Sequence, residues 1–550
     1  MKKNLTVWNL FSVVILAAFA LFIMYPIFLI LYRSVIHGDT GALTLQNFAH
    51  FFAKKFYWGT MVNSLRVTVV STILSAALGL PLAYLMRSVK IKGSSFLNIL
   101  IVISYLSPPF IGAYAWIQML GRQGVITQFL NDTFGLHYGG VYGFAGIVLV
   151  FTLQSFPLVY IYVSGALKNL DNSLNEAAES LGCSRMGRIW KIIVPLVMPT
   201  LLASSMLVFM RVFADFGTPM LIGEGYKTLP VLIYNQFMGE VSGDDGFAAA
   251  ICCIVIGLTI VMFFVQRFLA GRNTYAMTAL KPMAAKSLGG LRNILAHLAV
   301  YMVVGLAILP QFVVVYTSFL ATNGGQVFTG GFALQSYDAT LFAKDNDVIW
   351  HTYFLGLCAI AAVLVLGVLI AYLSVRKRNT LNSILDVITM FPFIIPGSVL
   401  GIAFVFAFNK SPIILTGTAL IMIISFAVRR MPYTVRSSTA ILGNISPSIE
   451  EAAISLGASD MTTFRKITVP MMMPGVLSGA IMSWVTIISE LSSSIILYTN
   501  STQTLTVSIY TEVIRGNYGN ASAYATILTV TSILSLLLFY KVTGRRDVSV

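Results

Sequence analysis

The chain has 550 residues, of which 57% are hydrophobic and only 10% are charged, and its mean hydropathy is +0.84. A soluble globular protein carries about a quarter charged residues, so this composition excludes a water-soluble domain and predicts an integral membrane protein. The 35 Lys and Arg residues outnumber the 20 Asp and Glu residues, which gives a formal net charge of +15. Because no basic stripe is interleaved with aromatic residues, this excess indicates basic cytoplasmic loops and does not favour a nucleic-acid partner.

Twelve apolar segments are long enough to cross a bilayer, which takes roughly 20 residues. The first half has them near 10–32, 61–86, 96–120, 143–167, 197–222 and 247–268, and the second half near 296–320, 352–375, 383–408, 413–432, 475–498 and 521–540. The N-terminal apolar run is too long for a signal peptide and predicts a retained first span. Lys and Arg concentrate in alternate loops, so the positive-inside rule predicts that both termini are cytoplasmic.

Several segments of the first half recur in the second. "PIFLILYRS" (26–34) resembles "PQFVVVYTS" (310–318), "GLPLAYLMRS" (79–88) resembles "GVLIAYLSVR" (367–376), and "SPPFIGAYAW" (107–116) loosely resembles "FPFIIPGSVL" (391–400). These matches predict a first repeat at 1–275 (core about 60–268), a cytoplasmic linker at 276–295 and a second repeat at 296–550 (core about 351–540). We expect an all-α membrane fold in which two parallel six-helix repeats face each other across a central pathway.

One polar segment of twenty residues occurs in both halves, 275 positions apart. It reads "EAAESLGCSRMGRIWKIIVP" from Glu176 to Pro195 and "EAAISLGASDMTTFRKITVP" from Glu451 to Pro470. Each copy predicts a short helix, a left-handed turn at Gly182 or Gly457, and a second amphipathic helix that leads to the next span. Helix pairs of this kind also lie on membrane surfaces without a partner, but two copies matched in spacing favour docking.

The start of the short helix has two candidate N-caps in the first copy, Asp171 and Ser173. Glu176 lies three residues after Ser173, as in a capping box, and Glu451 stands in the same relation to Ser448. Each glutamate is followed by two alanines, which would let a partner surface approach closely. These alanines are Ala177, Ala178, Ala452 and Ala453.

The spacing of these residues resembles the cytoplasmic EAA loop in permeases of binding-protein-dependent ABC importers of type I. Both copies fit without gaps, at Glu176-Ala177-Ala178, Gly182 and Pro195, and at Glu451-Ala452-Ala453, Gly457 and Pro470. The fusion of two permease halves is similar to the ferric-iron permeases. The resemblance implies docking of two copies of a separate ABC ATPase, an extracytoplasmic substrate-binding protein, the bacterial cytoplasmic (inner) membrane, and ferric iron as substrate. Related permeases carry thiamine, polyamines, sulfate and phosphonates.

The chain lacks a G-x-x-x-x-G-K-[ST] motif and any Gly-Lys dipeptide. We therefore expect a transport permease, not an enzyme, with no cofactor of its own and with ATP used by the partner ATPase. The four cysteines and five histidines show no disulfide or metal-ligand spacing, so no metal site is assigned.

Two other classes stay open. An ion-driven secondary transporter is one, because "LGCSRMGRIWK" has some likeness to the basic loop of such carriers, although the second copy loses it. A membrane enzyme is the other, but no catalytic set beyond two acids stands out.

Those two acids lie inside the fifth spans. "MRVFADFGTP" (210–219) carries Arg211 and Asp215, and Glu490 in "VTIISELSSS" (485–494) occupies the position equivalent to Asp215. A charge inside a span is costly and indicates function, so the acids are candidates to line the pathway and attract a cation. The alternative is that Arg211 neutralises Asp215 while Glu490 holds a helix turn or a neighbouring hydroxyl. Two loops, at 234–250 and 510–526, are candidate contacts for the binding protein.

Overall fold

The computed structural model describes residues 7–36, 41–135, 139–239, 245–271, 285–325, 327–342 and 347–543. Parts of the predicted linker at 276–295 and of the predicted binding-protein contact at 234–250 lie outside these ranges, as do both chain ends. The described residues are mainly helical, with one two-stranded antiparallel sheet.

Thirteen helices make up the described part before the sheet. They are α1 (Val7–Ser34), α2 (Gln46–Ala53), α3 (Lys55–Ser88), α4 (Ser94–Leu106), α5 (Pro109–Leu120), α6 (Val125–Phe134), α7 (Gly143–Lys168), α8 (Asn172–Ser180), α9 (Arg185–Ala214), α10 (Gly217–Ile222), α11 (Leu229–Met238), α12 (Asp245–Gly271) and α13 (Gly290–Ser318).

The sheet pairs β1 (Leu320–Asn323) with β2 (Val327–Phe332). The helices that follow are α14 (Gln335–Leu341), α15 (Val348–Arg376), α16 (Thr380–Ile388), α17 (Phe391–Ile394), α18 (Gly397–Phe408), α19 (Ala419–Asn444), α20 (Pro447–Ser455), α21 (Asp460–Ile488), α22 (Ser494–Leu497), α23 (Leu505–Arg515) and α24 (Tyr518–Thr543), with a 3₁₀ turn at Asn500–Thr502.

Nine helices of the described residues are long and apolar enough to cross a membrane, or eleven spans if each of two bent pairs counts as one. The predicted spans at 96–120 and 383–408 are each a bent pair of helices, since the chain bends by 100° between α4 and α5 and by 111° around the start of α18. Prolines cause both breaks, because a proline ring fixes its own backbone and disfavours a helical residue before it. Pro108 and Pro396 are extended and directly precede α5 and α18.

The predicted span at 413–432 is also wrong in its bounds. The helix there, α19, begins at Ala419 and continues through Pro432 to Asn444. It is not among the helices that qualify as spans by composition. Arg429, Arg430 and Arg436 make it polar, and the partners of the first two are described below.

The first helix of each half packs on the other half. On α1, Ser12 donates a hydrogen bond of 2.6 Å to Asn382, and the Trp8 ring lies 4.7 Å from that of Tyr372. On α13, the ring of His297 accepts a bond of 3.2 Å from the backbone of Lys92, and Tyr301 donates one of 3.0 Å to the same residue. The two halves are therefore held together by exchanged helices as well as by their shared core.

Candidate functional site

The two predicted docking segments adopt the same local structure. We call residues 171–195 the first EAA segment and residues 446–470 the second EAA segment. Each starts with a nine-residue helix, α8 or α20. The predicted capping boxes are wrong: Asp171 caps α8 by accepting from the backbone of Ser173, and Ser446 caps α20 by accepting from that of Ser448. The helices start at Asn172 and Pro447, so Ser173 and Ser448 already lie inside the first turn.

The turns that end these helices confirm the predicted left-handed glycines. Gly182 has φ +77° and Gly457 has φ +91°. In the first turn, Cys183 donates its backbone N–H to Ala178 and Gly182 donates to Glu179; in the second, Ala458 donates to Ala453 and Gly457 to Ile454. This pair of bonds is the Schellman motif, which satisfies the last carbonyls of a helix and requires a residue that tolerates positive φ.

The second helix of each segment leads directly into the following span, and the two form one helix. Ser184 and Ser459 cap α9 and α21 by accepting from the backbone of Gly187 and Thr462. A π turn then occupies Ile189–Ile193 in α9 and Phe464–Thr468 in α21. Pro195 and Pro470 come two residues after the ends of these turns. Because a proline cannot donate to the residue four positions back, the wider turn lets the helix continue past it.

Both segments expose apolar side chains at matched positions. Leu181 is 87% exposed and Leu456, its equivalent, is 90% exposed; Leu174 and Ile449 match in the same way at 43% and 39%. Glu176, Ala177, Glu451 and Ala452 are exposed beside them. The second alanines are covered more, with Ala453 buried. Two equivalent apolar surfaces rimmed by acids are suited to contact with a protein partner.

The two segments differ in how they are anchored. In the first, Arg188 of α9 forms a 2.5 Å ion pair with Glu179 of α8, and this guanidinium lowers the pKa of the Glu179 carboxyl. In the second, Arg376 at the end of α15 donates 2.9 Å to Glu450 and 2.7 Å to the carbonyl of Ile445. Both Arg376 and Glu450 side chains are 11% exposed. The second segment is therefore tied to its own helical bundle by a shielded ion pair.

The fifth span of each half, α9 or α21, ends just before the predicted acid. The predicted spans at 197–222 and 475–498 end earlier than expected, because α9 stops at Ala214 and α21 at Ile488, each before a short helix. Asp215 accepts a bond of 2.9 Å from the backbone of Thr218, and Glu490 accepts one of 3.2 Å from the backbone of Ser493. The two acids thus perform the same local task, which is to cap a turn three residues ahead.

Glu490 has two further partners that Asp215 lacks. Arg429 and Arg430 of α19 both donate to its carboxylate, one to each oxygen, and the Glu490 side chain is only 2% exposed. A carboxylate in this position is fully engaged by cations of the protein. The alternative that Glu490 holds a helix turn and a neighbouring hydroxyl agrees with its contacts, since it also accepts from the Ser493 hydroxyl at 3.4 Å.

Arg211 does not neutralise Asp215 by direct contact. Its guanidinium lies 4.6 Å from the centre of the Tyr105 ring. Among the described residues, no ion pair joins Arg211 to Asp215, although they are four residues apart. Asp215 terminates α9 with an extended backbone, so its side chain leaves the helical face on which an i, i+4 pair would form.

The breaks of the two halves meet each other. A Cβ atom on Gly217 would lie 2.9 Å from the Phe110 side chain and 3.0 Å from that of Leu491, so only glycine allows this approach. Phe216 packs across the halves against Tyr510, with ring centres 5.9 Å apart and the ring planes tilted by 48°. We call Arg211, Asp215, Arg429, Arg430 and Glu490 the charge cluster. Asp215 and Glu490 lie within two residues of Gly217 and Leu491, which meet at this contact, and Arg429 and Arg430 both bind Glu490. Arg211 lies over Tyr105, which packs in one apolar cluster with Val485 of α21.

Arg429 and Arg430 are site residues that the sequence analysis did not identify. A signal was present. A shift of 275 positions places Pro432 on Pro157, and it then places Arg429 on Gln154 and Arg430 on Ser155. The first half has neutral side chains at both positions, and Gln154 is 3% exposed without a hydrogen-bond partner for its amide among the described residues. The charged partners of the acid are thus a feature of the second half.

These features define a helical multi-pass membrane protein built from two related halves. The family "binding-protein-dependent transport system inner membrane component" matches residues 75–275 and again residues 363–546. The chain belongs to this family and is a multi-pass inner-membrane permease component.

Some relatives match most of the chain, and shorter relatives match less than half of it. The ferric transport system permease protein FbpB of Actinobacillus pleuropneumoniae is 30% identical in an alignment that covers 97% of this chain and 78% of the relative. The putative ferric transport system permease protein FbpB 1 of Haemophilus influenzae is 30% identical over 90% of this chain and 78% of its own. The molybdenum transport system permease protein ModB of Escherichia coli K12 is 28% identical over 39% of this chain and 93% of its own.

Proposed function

We propose that this chain is the complete membrane pathway of an ABC importer for ferric iron, which an extracytoplasmic binding protein delivers. The matched pair of EAA segments carries the importer part of the proposal, because both present the same capped helix, Schellman turn and exposed leucine. The names of the full-length relatives support iron as the substrate.

Each EAA segment is placed to transmit movement to the charge cluster. The second one connects α19, which carries Arg429 and Arg430, to α21, which ends two residues before Glu490. The first one connects α7, which carries Gln154, to α9, which ends directly before Asp215. A displacement of either segment by a partner would therefore shift both sides of the same contact between the halves.

Two copies of a separate ATPase subunit complete this arrangement, one for each EAA segment. The chain has no P-loop motif, so nucleotide would be bound and hydrolysed on those subunits and not here. The arrangement in the membrane would be two parallel six-helix repeats, each with one bent pair as its third span. The second repeat would use α19 as its fourth span in spite of its arginines, which raises the total from eleven to twelve. Both chain termini would then be cytoplasmic, on the side of the EAA segments.

Iron uptake is the first experiment. Cells that lack the gene and grow under iron limitation should lose uptake of radioactive ferric iron, and the wild-type gene should restore it. Thiamine, a polyamine, molybdate and a phosphonate serve as parallel substrates in the same cells. Unchanged iron uptake together with loss of uptake of another substrate would show that the importer carries that substrate and not iron.

The exposed leucines give a direct test of docking. Leu181→Asp combined with Leu456→Asp should leave folding unchanged, because both side chains are almost fully in solvent. Burial of two charges in the partner interfaces should nevertheless reduce ATPase capture by roughly a hundredfold or more. Co-purification of the ATPase with the variant measures this.

The matched control for that test is Leu181→Met with Leu456→Met, which retains an apolar surface. If the aspartate variant captures the ATPase as well as this control does, the EAA segments are not the docking surfaces.

A further inference from the structure

The charge cluster contains more positive than negative groups. Three guanidinium groups, those of Arg211, Arg429 and Arg430, stand against two carboxylates, those of Asp215 and Glu490. Charged groups inside a membrane protein are costly and mark pathways for charged substrates. An excess of positive charge is the reverse of what a bare ferric ion would need.

The carboxylates of the cluster are also occupied. Both oxygens of Glu490 accept from arginines, and Asp215 accepts from the backbone of Thr218. The arginines, in contrast, retain N–H donors that are not paired within the described part of the chain. The Nε atoms of Arg429 and Arg430 are buried without a hydrogen-bond partner among the described residues, and Arg211 lies over an aromatic ring. The charge cluster therefore has hydrogen-bond donors available, whereas both of its carboxylates already accept from other groups.

Tyrosine hydroxyls add to the donors. Tyr105 interacts electrostatically with Arg211 of its own half and with Arg430 of the other half, and Tyr162 interacts with both Tyr105 and Tyr433. Guanidinium groups and hydroxyls together are the usual partners of phosphate and carboxylate oxygens in proteins. The cluster therefore has the chemistry of an oxyanion site that spans the two halves.

We propose that the ferric ion crosses this permease together with an anionic ligand, whose phosphate or carboxylate oxygens are held in transit by Arg211, Arg429 and Arg430. This inference rests on the proposed iron function. The arginines would contact the oxygens of the ligand, and the ligand would shield the ferric ion from their positive charge. A bare trivalent cation would be repelled at the same point.

Removal of one arginine charge distinguishes the two forms of the substrate. It should slow the import of iron that carries an anionic ligand, and it should speed the import of a bare ferric ion. Arg211→Gln is the suitable variant because Arg211 has no direct ion pair among the described residues, so the substitution breaks no buried ion pair. With purified ATPase complex in proteoliposomes and iron-loaded binding protein outside, the variant should import iron about tenfold more slowly than wild type. Arg211→Lys should recover part of the rate. Arg378→Gln makes the same charge change at an exposed position in the loop between α15 and α16 and should have no effect.

Co-transport identifies the ligand. The binding protein is loaded with radioactive iron and either labelled phosphate or labelled citrate, and both labels are counted inside the vesicles. Phosphate or citrate that enters in fixed ratio to iron supports the proposal and names the source of the oxyanion. Iron that enters with neither label, or an Arg211→Gln variant that imports iron as fast as wild type or faster, overturns it. Wild-type complex that imports no iron from either form contradicts the iron function instead.

Discussion

Gly182→Val combined with Gly457→Val should abolish transport while the protein still inserts and folds. At both positions the backbone has a positive φ, +77° and +91°, and a β-branched residue in this region costs about 1–2 kcal/mol or more. The turns would open to avoid that cost and carry the exposed leucines away from their matched positions. Iron uptake and substrate-stimulated ATP hydrolysis in proteoliposomes should both fall to near background.

The chain offers a matched control for this variant. Gly165 and Gly443 lie in α7 and α19, the helices that lead into the two EAA segments, and a Cβ atom on either would meet no atom within 4 Å. Neither has positive φ, so Gly165→Ala with Gly443→Ala should retain full transport and slightly raise stability. Full transport in the valine variant would show that the Schellman turns are dispensable for coupling.

Glu490→Gln should be the most destabilising single substitution in the charge cluster. It leaves the guanidinium groups of Arg429 and Arg430 side by side without their shared carboxylate, and breaking a buried pair in this way costs about 3–5 kcal/mol. A large fall in the midpoint of thermal unfolding in detergent, and loss of transport, is the expected result.

Asp215→Asn is the control for that substitution in the equivalent place. The amide oxygen of asparagine can still accept from the backbone of Thr218, so we expect a stability loss of only about 1 kcal/mol. A second variant, Arg430→Gln with Glu490→Gln, removes one charge of each sign and should recover part of the lost stability. Equal stability of the two single variants would contradict the pairing of Glu490 with both arginines.

The same pairing changes how an acid in a span is interpreted. Asp215 and Glu490 occupy equivalent positions and cap equivalent turns, yet only Glu490 is clamped by arginines. Sequence position alone suggested two similar acids that attract a cation. In the structure, Glu490 is neutralised by two arginines of the second half, whereas Asp215 accepts a hydrogen bond from the backbone of Thr218.

Much of the local structure followed from the sequence itself. Composition determined that the protein is a helical membrane protein, and the spacing of Glu-Ala-Ala, glycine and proline determined that each half carries a helix, a left-handed turn and a further helix. These predictions succeed because they depend on local physics. A glycine at a helix end needs no distant partner to adopt positive φ, and a long apolar helix is selected by the bilayer.

The tertiary structure decided the features that depend on residues far apart in the chain. The bends before α5 and α18, the exchange of α1 and α13 between the halves, and the contact of Gly217 with Leu491 arise from packing between segments up to hundreds of residues apart. Arg429, Arg430 and Glu490 illustrate the point most clearly. Read in sequence, the arginines only weaken an apolar segment, because a charge inside a span is unfavourable by itself. Only the fold brings Glu490 to them from about sixty positions away and makes the three charges tolerable together.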